Sequence, residues 1–469
     1  MSGSLVAGVD SSTQSCKIVV CDAQTGAVLR TARAPHPDGT EVDPRAWWDA
    51  WSAASSDGIL DGVEAIAVGG QQHGMVTLDA DDDIVRPALL WNDTRSARAA
   101  ADLVEEFGGA QAWADQIGIV PVAAITATKL RWLARHEPDN LSRTKTCVLP
   151  HDWLTGRLLK ESGTFERWTT DRGDASGTGY WSAHTQDYRA DVMELAMGRT
   201  IDVPEVLAPN AVAGRTATGM IVGPGTGDNM GAALGLGLAP GDVVVSLGTS
   251  GTVFARHDHA VADATGALQS FADAEGGYLP LLCTLNAARV MTAGAAMLGV
   301  DLAGLDRLAL AGTLGAGGLT LLPYLDGERT PNLPCAAGTL TGLTRANATP
   351  ENLARAIVEG MLLNLVAGVD GLRAEGVDVR RVLLIGGASA SVAVQDIAPQ
   401  LFGVPVAIPA AGEYVGIGAA RQAAWALSQA DAPPVWEIKV DAEAEPGSAD
   451  AGADVVGRYR DVLATMHGI

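Results

Sequence analysis

The sequence predicts an α/β protein made of two similar halves, and three observations carry that reading. An apolar run, Leu5-Val-Ala-Gly-Val-Asp10, enters a polar turn over Ser11 to Ser15 and returns as Cys16-Lys-Ile-Val-Val-Cys21. The same hairpin pattern recurs at Asp242-Val-Val-Val-Ser-Leu-Gly-Thr-Ser-Gly-Thr-Val-Phe-Ala255, where Thr13 aligns with Thr249 at an offset of 236 residues. Each half then carries a further apolar run ending in paired glycines: Glu64 to Val68 before Gly69 and Gly70, and Arg381 to Ile385 before Gly386 and Gly387. Short apolar runs bounded by turn residues suit strands buried on both faces, and strands alternating with helices suit an α/β architecture.

A chain of 469 residues exceeds what one core supports, so two large domains are expected. The seam is expected near Leu238-Ala-Pro240. This gives residues 1–238, residues 239–430, and an acidic tail at 431–469. Helix starts are marked by Asp43-Pro44 and by Thr349-Pro350, the second followed by Leu353, Ile357, Met361 and Leu365 at helical spacing. The Ala/Asp/Glu-rich stretch Asp441 to Asp454 reads as a linker before a short helix over Val455 to Met466.

Composition excludes several classes. With 47% hydrophobic and 19% charged residues the chain is globular. A formal charge of −23 argues against nucleic-acid binding, and it requires any anionic ligand to be held by local dipoles and a cation. No apolar run reads as a membrane span, and the N-terminus reads as a strand rather than a signal peptide. Five cysteines without a C-x-x-C pair suit reduced thiols in a cytoplasmic protein.

The chemistry centres on Gly227-Asp228-Asn229, within the glycine-rich stretch from Val222 to Gly235. Glycine permits positive φ and close approach, so a carboxylate there is offered to a ligand; a surface turn uses the same residues for conformational reasons. Three further loops, Asp10-Ser-Ser-Thr-Gln-Ser15, Leu247-Gly-Thr-Ser-Gly251 and Gly386-Gly-Ala-Ser389, expose the small residues and backbone donors that wrap polyphosphates. There is no P-loop lysine motif and no H-E-x-x-H zinc helix. His257-Asp-His259 reads as a solvated turn, and Trp47, Trp48 and Trp51 read as packing at helical spacing.

Asp10-Ser-Ser-Thr, Leu247-Gly-Thr-Ser-Gly and Ile385-Gly-Gly resemble the two phosphate motifs and the adenosine motif of the actin–hexokinase–chaperone ATPases. Gly338-Thr-Leu-Thr-Gly-Leu343 with Asn352 to Glu359 resembles the C-terminal signature of the FGGY carbohydrate kinases. Gly70-Gln-Gln-His-Gly74, Arg86 to Asp93, Thr126-Ala-Thr-Lys-Leu130, Arg135 to Pro138 and Gly327 to Pro331 narrow the resemblance to that family's xylulose-phosphorylating branch.

The resemblance implies two duplicated, ribonuclease H-like ATPase domains of the actin/hexokinase type with a cleft between them. It implies ATP-dependent, Mg²⁺-assisted phosphorylation of D-xylulose, with another ketose or polyol such as ribulose or glycerol, or a non-catalytic nucleotide scaffold, as the rival readings. It makes Asp228 the catalytic base and Asp10 a catalytic residue that holds Mg²⁺ through water, with Asp228 also counted at the metal. Gln72, His73, Trp91, Asn92, Asp93 and Asn229 would bind sugar. Ser12, Thr13, Gly248 and Thr249 would meet phosphates, and Gly386, Gly387 and Ala388 adenosine. Expected partners are sugar and ATP, not nucleic acid or membrane; a homodimer is a family-level expectation. Three positions depart from the family pattern: Ala388 replaces the third glycine, Ala390 the basic residue and Val394 the tryptophan of the adenosine loop.

Overall fold

The structure, a computed structural model, describes residues 3–447 and 449–469. Met1 and Ser2, at the start of the expected first strand, and Ser448, within the expected linker, lie outside the described residues. The chain forms two compact units. Unit 1 comprises Met1–Leu238, His257–Leu279 and Gly412–Glu437; unit 2 comprises Ala239–Arg256, Pro280–Ala411 and Ile438–Ile469.

In unit 1 the sheet is built on the predicted hairpin. Strands β1 (Leu5–Ser11) and β2 (Ser15–Asp22) pair antiparallel, and β3 (Val28–Pro35) extends them. β4 (Val63–Gly70) lies parallel to the other side of β1. Short strands β5 (Gly214–Arg215), β6 (Ile221–Val222) and β7 (Thr226–Gly227) complete the sheet in the order β5-β6-β4-β1-β2-β3, with β7 also on β4. One face packs on Trp47, Trp51 and Trp153, so Trp47 and Trp51 are core residues as their spacing predicts. Trp48 is only partly buried but packs against the same cluster, and the Arg157 guanidinium lies over its ring.

The other face is covered by the helix Tyr414–Ser428, whose Ala419, Ala420 and Ala423 pack on Val6, Val19, Ala65 and Ala67. A Cβ on Gly8 would stand 1.8 Å from the Gly416 oxygen, so helix and strand meet backbone to backbone. The same helix crosses the helix Asp228–Leu236 just as closely: a Cβ on Gly418 would lie 1.8 Å from the Gly231 oxygen. This packing is why residues 412–437 belong to unit 1, although the chain order had placed them in the second domain and its tail. Small residues with no helical stripe of large apolar side chains gave no sign of that partner.

Unit 2 repeats the arrangement. β8 (Asp242–Leu247) and β9 (Gly251–Ala255) form the second hairpin, β10 (Tyr278–Thr284), which enters this unit at Pro280, flanks β9, and β11 (Arg381–Ile385) lies parallel to β8. β12 (Val406–Pro409) follows β11, and β13 (Val440–Ala444) closes the edge antiparallel to β12. β13 and the helix Ala449–His467 replace most of the expected linker. An edge strand exposed to water needs no apolar alternation, so its acidic composition concealed it. The helix Pro350–Ala374, capped by Thr349, is long and apolar enough to cross a membrane, yet 83% of its apolar stretch is buried in this unit.

Gly418→Ala is expected to cost about 3 kcal/mol or more, because all three clashing atoms are backbone and none can rotate away. Gly457→Ala, in the helix Ala449–His467 with open space around it, is expected to gain roughly 0.5–1 kcal/mol. Denaturant unfolding of the two variants beside wild type measures both, and equal stabilities would contradict the packing described.

Candidate active site

Strand register brings the two expected carboxylates to one place. Asp10 pairs with Gly69, and Thr226 pairs with Gly69 from the other side, so β1 and β7 end together across the glycines that terminate β4. Asp228 is not in a loop, as the sequence suggested. It is the first residue of the helix Asp228–Leu236, directly after β7. A carboxylate suits that position because it faces the positive end of the helix dipole. Gly227 is needed for space rather than for φ: a Cβ there would come 2.9 Å from the Gln72 side chain.

Asp228 Oδ1 accepts from the Asn229 backbone N–H and from Asn229 Nδ2, both at 2.8 Å. The same amide donates to Gln72 Oε1 at 3.2 Å, which links three of the predicted residues in one chain of bonds. Packing around the Asp228 carboxyl raises it to about 7, and the Asp10 carboxylate adds to the rise against the Asn229 hydrogen bonds. Burial pushes Asp10 up to about 6, opposed by Lys17. Lys17 Nζ lies 3.4 Å from Asp10 and 2.6 Å from Glu413. Sequence reasoning passed over Lys17; a lone cation on the apolar strand β2, opposite Asp10 in register, was the available signal. Asp10 Oδ1, Gln72 Nε2 and Asn92 Oδ1 are buried without hydrogen-bond partners. Each such group costs roughly 1–3 kcal/mol unless water or a ligand satisfies it, so these three atoms are left for one to satisfy.

His73 follows in a left-handed conformation (φ 66°), and its Nδ1 donates to the Gly177 carbonyl at 2.8 Å. From this turn the chain runs on to a strand at Val76–Leu78 rather than a helix. At the hairpin tip, Ser12 closes the turn onto the Ser15 carbonyl, and Trp91 Nε1 donates to Thr13 Oγ1 at 2.9 Å. Trp91, expected beside the sugar, is thus tied to the expected phosphate tip. Asp93 is spent within the fold, accepting from Thr40 and from Arg95. Burial alone would raise its carboxyl, but those hydrogen bonds hold it below its ordinary value.

Beneath these residues lies a cluster that sequence reasoning missed. His151 is fully buried, and its Nε2 stands 3.1 Å from Asp171, 3.2 Å from Asp174 and 3.3 Å from Asp152. Burial opposes its charge, but the three carboxylates prevail and raise it to about 10. Gly70 and Gly225 leave room for the ring, since a Cβ on either would meet His151 at 3.0 or 2.5 Å. No group of three or more His, Cys, Asp or Glu among the described residues could hold a metal ion. His257-Asp258-His259 accordingly forms no such site; the His257 backbone pairs with Tyr278.

In unit 2, the β8–β9 tip presents Gly248 and Thr249. The Gly248 carbonyl accepts from the Ala288 N–H at 2.9 Å, leaving its own N–H side to the turn. Gly386 has φ 90°, and a Cβ there would sit 2.7 Å from the Leu247 backbone, so only glycine lets β11 end beside β8. Gly387 has open space over it, and Ala388 continues the short 3₁₀ turn.

Residues 5–236 match the N-terminal domain, and residues 243–427 the C-terminal domain, of the FGGY family of carbohydrate kinases. Two such domains on an actin/hexokinase-like fold define a sugar kinase that uses ATP. The chain belongs to the FGGY family of carbohydrate kinases. It is 46% identical over 448 residues to the xylulose kinase of Streptomyces coelicolor, across 92% of this chain and 90% of that one. The crystal structure of xylulose kinase from Bifidobacterium adolescentis superposes with a TM-score of 0.91 at 45% identity, covering 98% of this chain and 99% of that one. Plasmodium falciparum glycerol kinase with ADP shares the fold, with a TM-score of 0.87 at 17% identity over 99% and 98% of the chains.

His151→Gln is expected to destabilise the protein by about 3 kcal/mol at pH 7, because three carboxylates lose their shared cation. The imidazolium is raised above its unfolded value, so its contribution is complete below about pH 6.5 and fades as pH rises through about 10. Urea unfolding should therefore show the wild-type advantage narrowing from pH 7 to pH 10. A gap that stays constant with pH would contradict the charged assignment.

Proposed function

We propose that the chain transfers the γ-phosphoryl group of ATP to D-xylulose, giving D-xylulose 5-phosphate, with Asp228 accepting the proton of the attacking hydroxyl. The single observation behind this is Asp228 itself: a helix-start carboxylate fixed by Asn229, linked to Gln72, and poised near neutrality. A base with its pKa close to the working pH balances being ionised against being strong enough to take a proton. Phosphoryl transfer asks little else of a protein than in-line positioning and charge neutralisation.

Gln72, His73 and Asn229 would hold the sugar hydroxyls, which both donate and accept. The unpartnered Gln72 Nε2 and Asn92 Oδ1 support a polar ligand there. Trp91 would border the site through its bond to Thr13, with Asp93 holding their loop. Asp10 suits Mg²⁺ reached through water, because its buried Oδ1 lacks a partner and no multi-carboxylate cage surrounds it among the described residues. When bound, that ion would neutralise phosphate charge. Asp228 is counted with Asp10 at the metal only in that electrostatic sense. Ser12, Thr13, Gly248 and Thr249 are assigned to phosphates, and Gly386, Gly387 and Ala388 to adenosine. Five free cysteines suit the reducing cytoplasm in which ATP is supplied.

Asp228→Asn should lower kcat by about 10³-fold or more while calorimetry still detects ketose binding. Near-normal turnover would sink the base assignment. Because Asp228 must be ionised to accept a proton and its carboxyl stands at about 7, wild-type kcat/KM should climb with pH through about 7 and then level off. Coupled ADP release measured over a panel of ketoses and polyols tests the substrate. Xylulose should give the highest kcat/KM, and a better acceptor would replace it.

A further inference from the structure

We propose that Lys129 is a positioning residue for the sugar acceptor, acting through His73; this rests on the sugar-binding reading of that histidine. Lys129 lies in the first turn of the helix Thr126–His136 and is completely buried. It makes no ion pair among the described residues; Asp93 and Cys147 act on it only from a distance. Its Nζ instead donates to two carbonyls, that of His73 at 2.9 Å and that of Ala124. Thr126, from the same turn, donates to the same His73 oxygen at 3.1 Å.

A long cation buried without a counter-ion is an expensive way to fill apolar space that methionine would fill equally well. What lysine adds is donors, and here they end on the backbone of the one binding-loop residue that departs from ordinary φ. Burial lowers the ammonium to about 7, but the neutral amine also has two N–H groups for two carbonyls, so the clamp does not depend on its charge.

The same helix governs the ring of His73 as well as its backbone. The Ala127 N–H donates to the Thr178 carbonyl at 2.8 Å, which anchors the segment whose Gly177 carbonyl receives His73 Nδ1–H. That bond sets the tautomer: with the proton on Nδ1, the neutral ring has Nε2 as its acceptor. Phe271 lies against the ring with centroids 5.6 Å apart, and a Cβ on Gly177 would stand 2.7 Å from His73 Nδ1. Carbonyl, ring nitrogen and ring face are each held, and one helix turn holds two of the three. The geometry leaves the imidazole a single orientation toward the hydroxyl it is assigned to bind.

The test is steady-state kinetics of the full chain, with the acceptor that wild type uses best and ATP varied separately. Lys129→Met should raise the acceptor KM by about tenfold, with the ATP KM unchanged. Gly177→Ala, which pushes the ring rather than the backbone, should produce the same split. Thr126→Val, which removes the weaker donor to the same carbonyl, should show it to a smaller extent. Should Lys129→Met fail to fold, the Thr126 and Gly177 variants decide the matter. A wild-type acceptor KM in the folded variants, or equal rises in both KM values, overturns the proposal while leaving the kinase reading intact. A wild-type chain that releases no ADP with any sugar overturns both.

Discussion

The close crossing of the helix Tyr414–Ser428 over β1 and over the helix Asp228–Leu236 is the constraint on which the rest of unit 1 depends. Both contacts are made without side chains, at Gly8 against Gly416 and at Gly231 against Gly418, so neither partner can slide without a backbone clash. β1 delivers Asp10 and the helix crossed by Tyr414–Ser428 delivers Asp228. A segment almost two hundred residues downstream of Asp228 therefore sets how close the two carboxylates come. Interiors are packed like crystals, so a stop made of backbone atoms is firmer than one made of rotatable side chains.

That closeness has an electrostatic consequence. Beyond its burial, Asp228 is raised by the Asp10 carboxylate, and three further carboxylates lie beneath them around His151. Against this stand few cations: Lys17 beside Asp10, and the buried imidazolium. A site so rich in negative charge opposes a polyphosphate unless backbone donors and a cation intervene, as the chain's overall acidity already implied. Burial is the larger part of what lifts Asp228 to about 7, and the Asp10 carboxylate adds to it, so part of the charge that would oppose a polyphosphate also shifts this carboxyl toward the range where a carboxylate can act as a base.

Much of this was legible in the sequence because it is local. The hairpins β1–β2 and β8–β9 announce themselves by apolar runs around hydroxyl-rich tips, and those tips fall at the offset of Thr13 and Thr249, although the second hairpin is one residue tighter, Leu247 pairing with Gly251 where Ser11 pairs with Cys16. Asp228, Gln72 and Asn229 were named together and are found bonded together. What escaped was set by long-range packing. The assignment of residues 412–437 to unit 1 depends on alanines and glycines whose partners lie far away in sequence. Asp93 looked like a pocket residue until Thr40 and Arg95 were seen to occupy its oxygens. Lys129 and His151 were invisible for a related reason: a charged side chain in a sequence is read as solvated, and only the fold shows it sealed inside.

The departures from the family's adenosine loop differ in kind. Val394, at the position of the family's tryptophan, is completely buried in the helix Val392–Phe402, so here that position serves the core rather than a ligand. Ala390 is exposed and offers only a methyl group where the family pattern has a cation. Gly386 is kept because its positive φ and its contact with Leu247 are demanded by the joining of β11 to β8, whatever binds nearby. Gly387 alone has neither demand on it: its φ is ordinary and nothing lies within reach of a Cβ. A glycine that the fold does not require, open to solvent beside two alanines, is the position in this loop where a flat ring can approach the backbone most closely. Were adenosine to bind at this loop, as proposed above, main chain and shape would have to recognise it, since neither Ala388 nor Ala390 offers a charged or aromatic group.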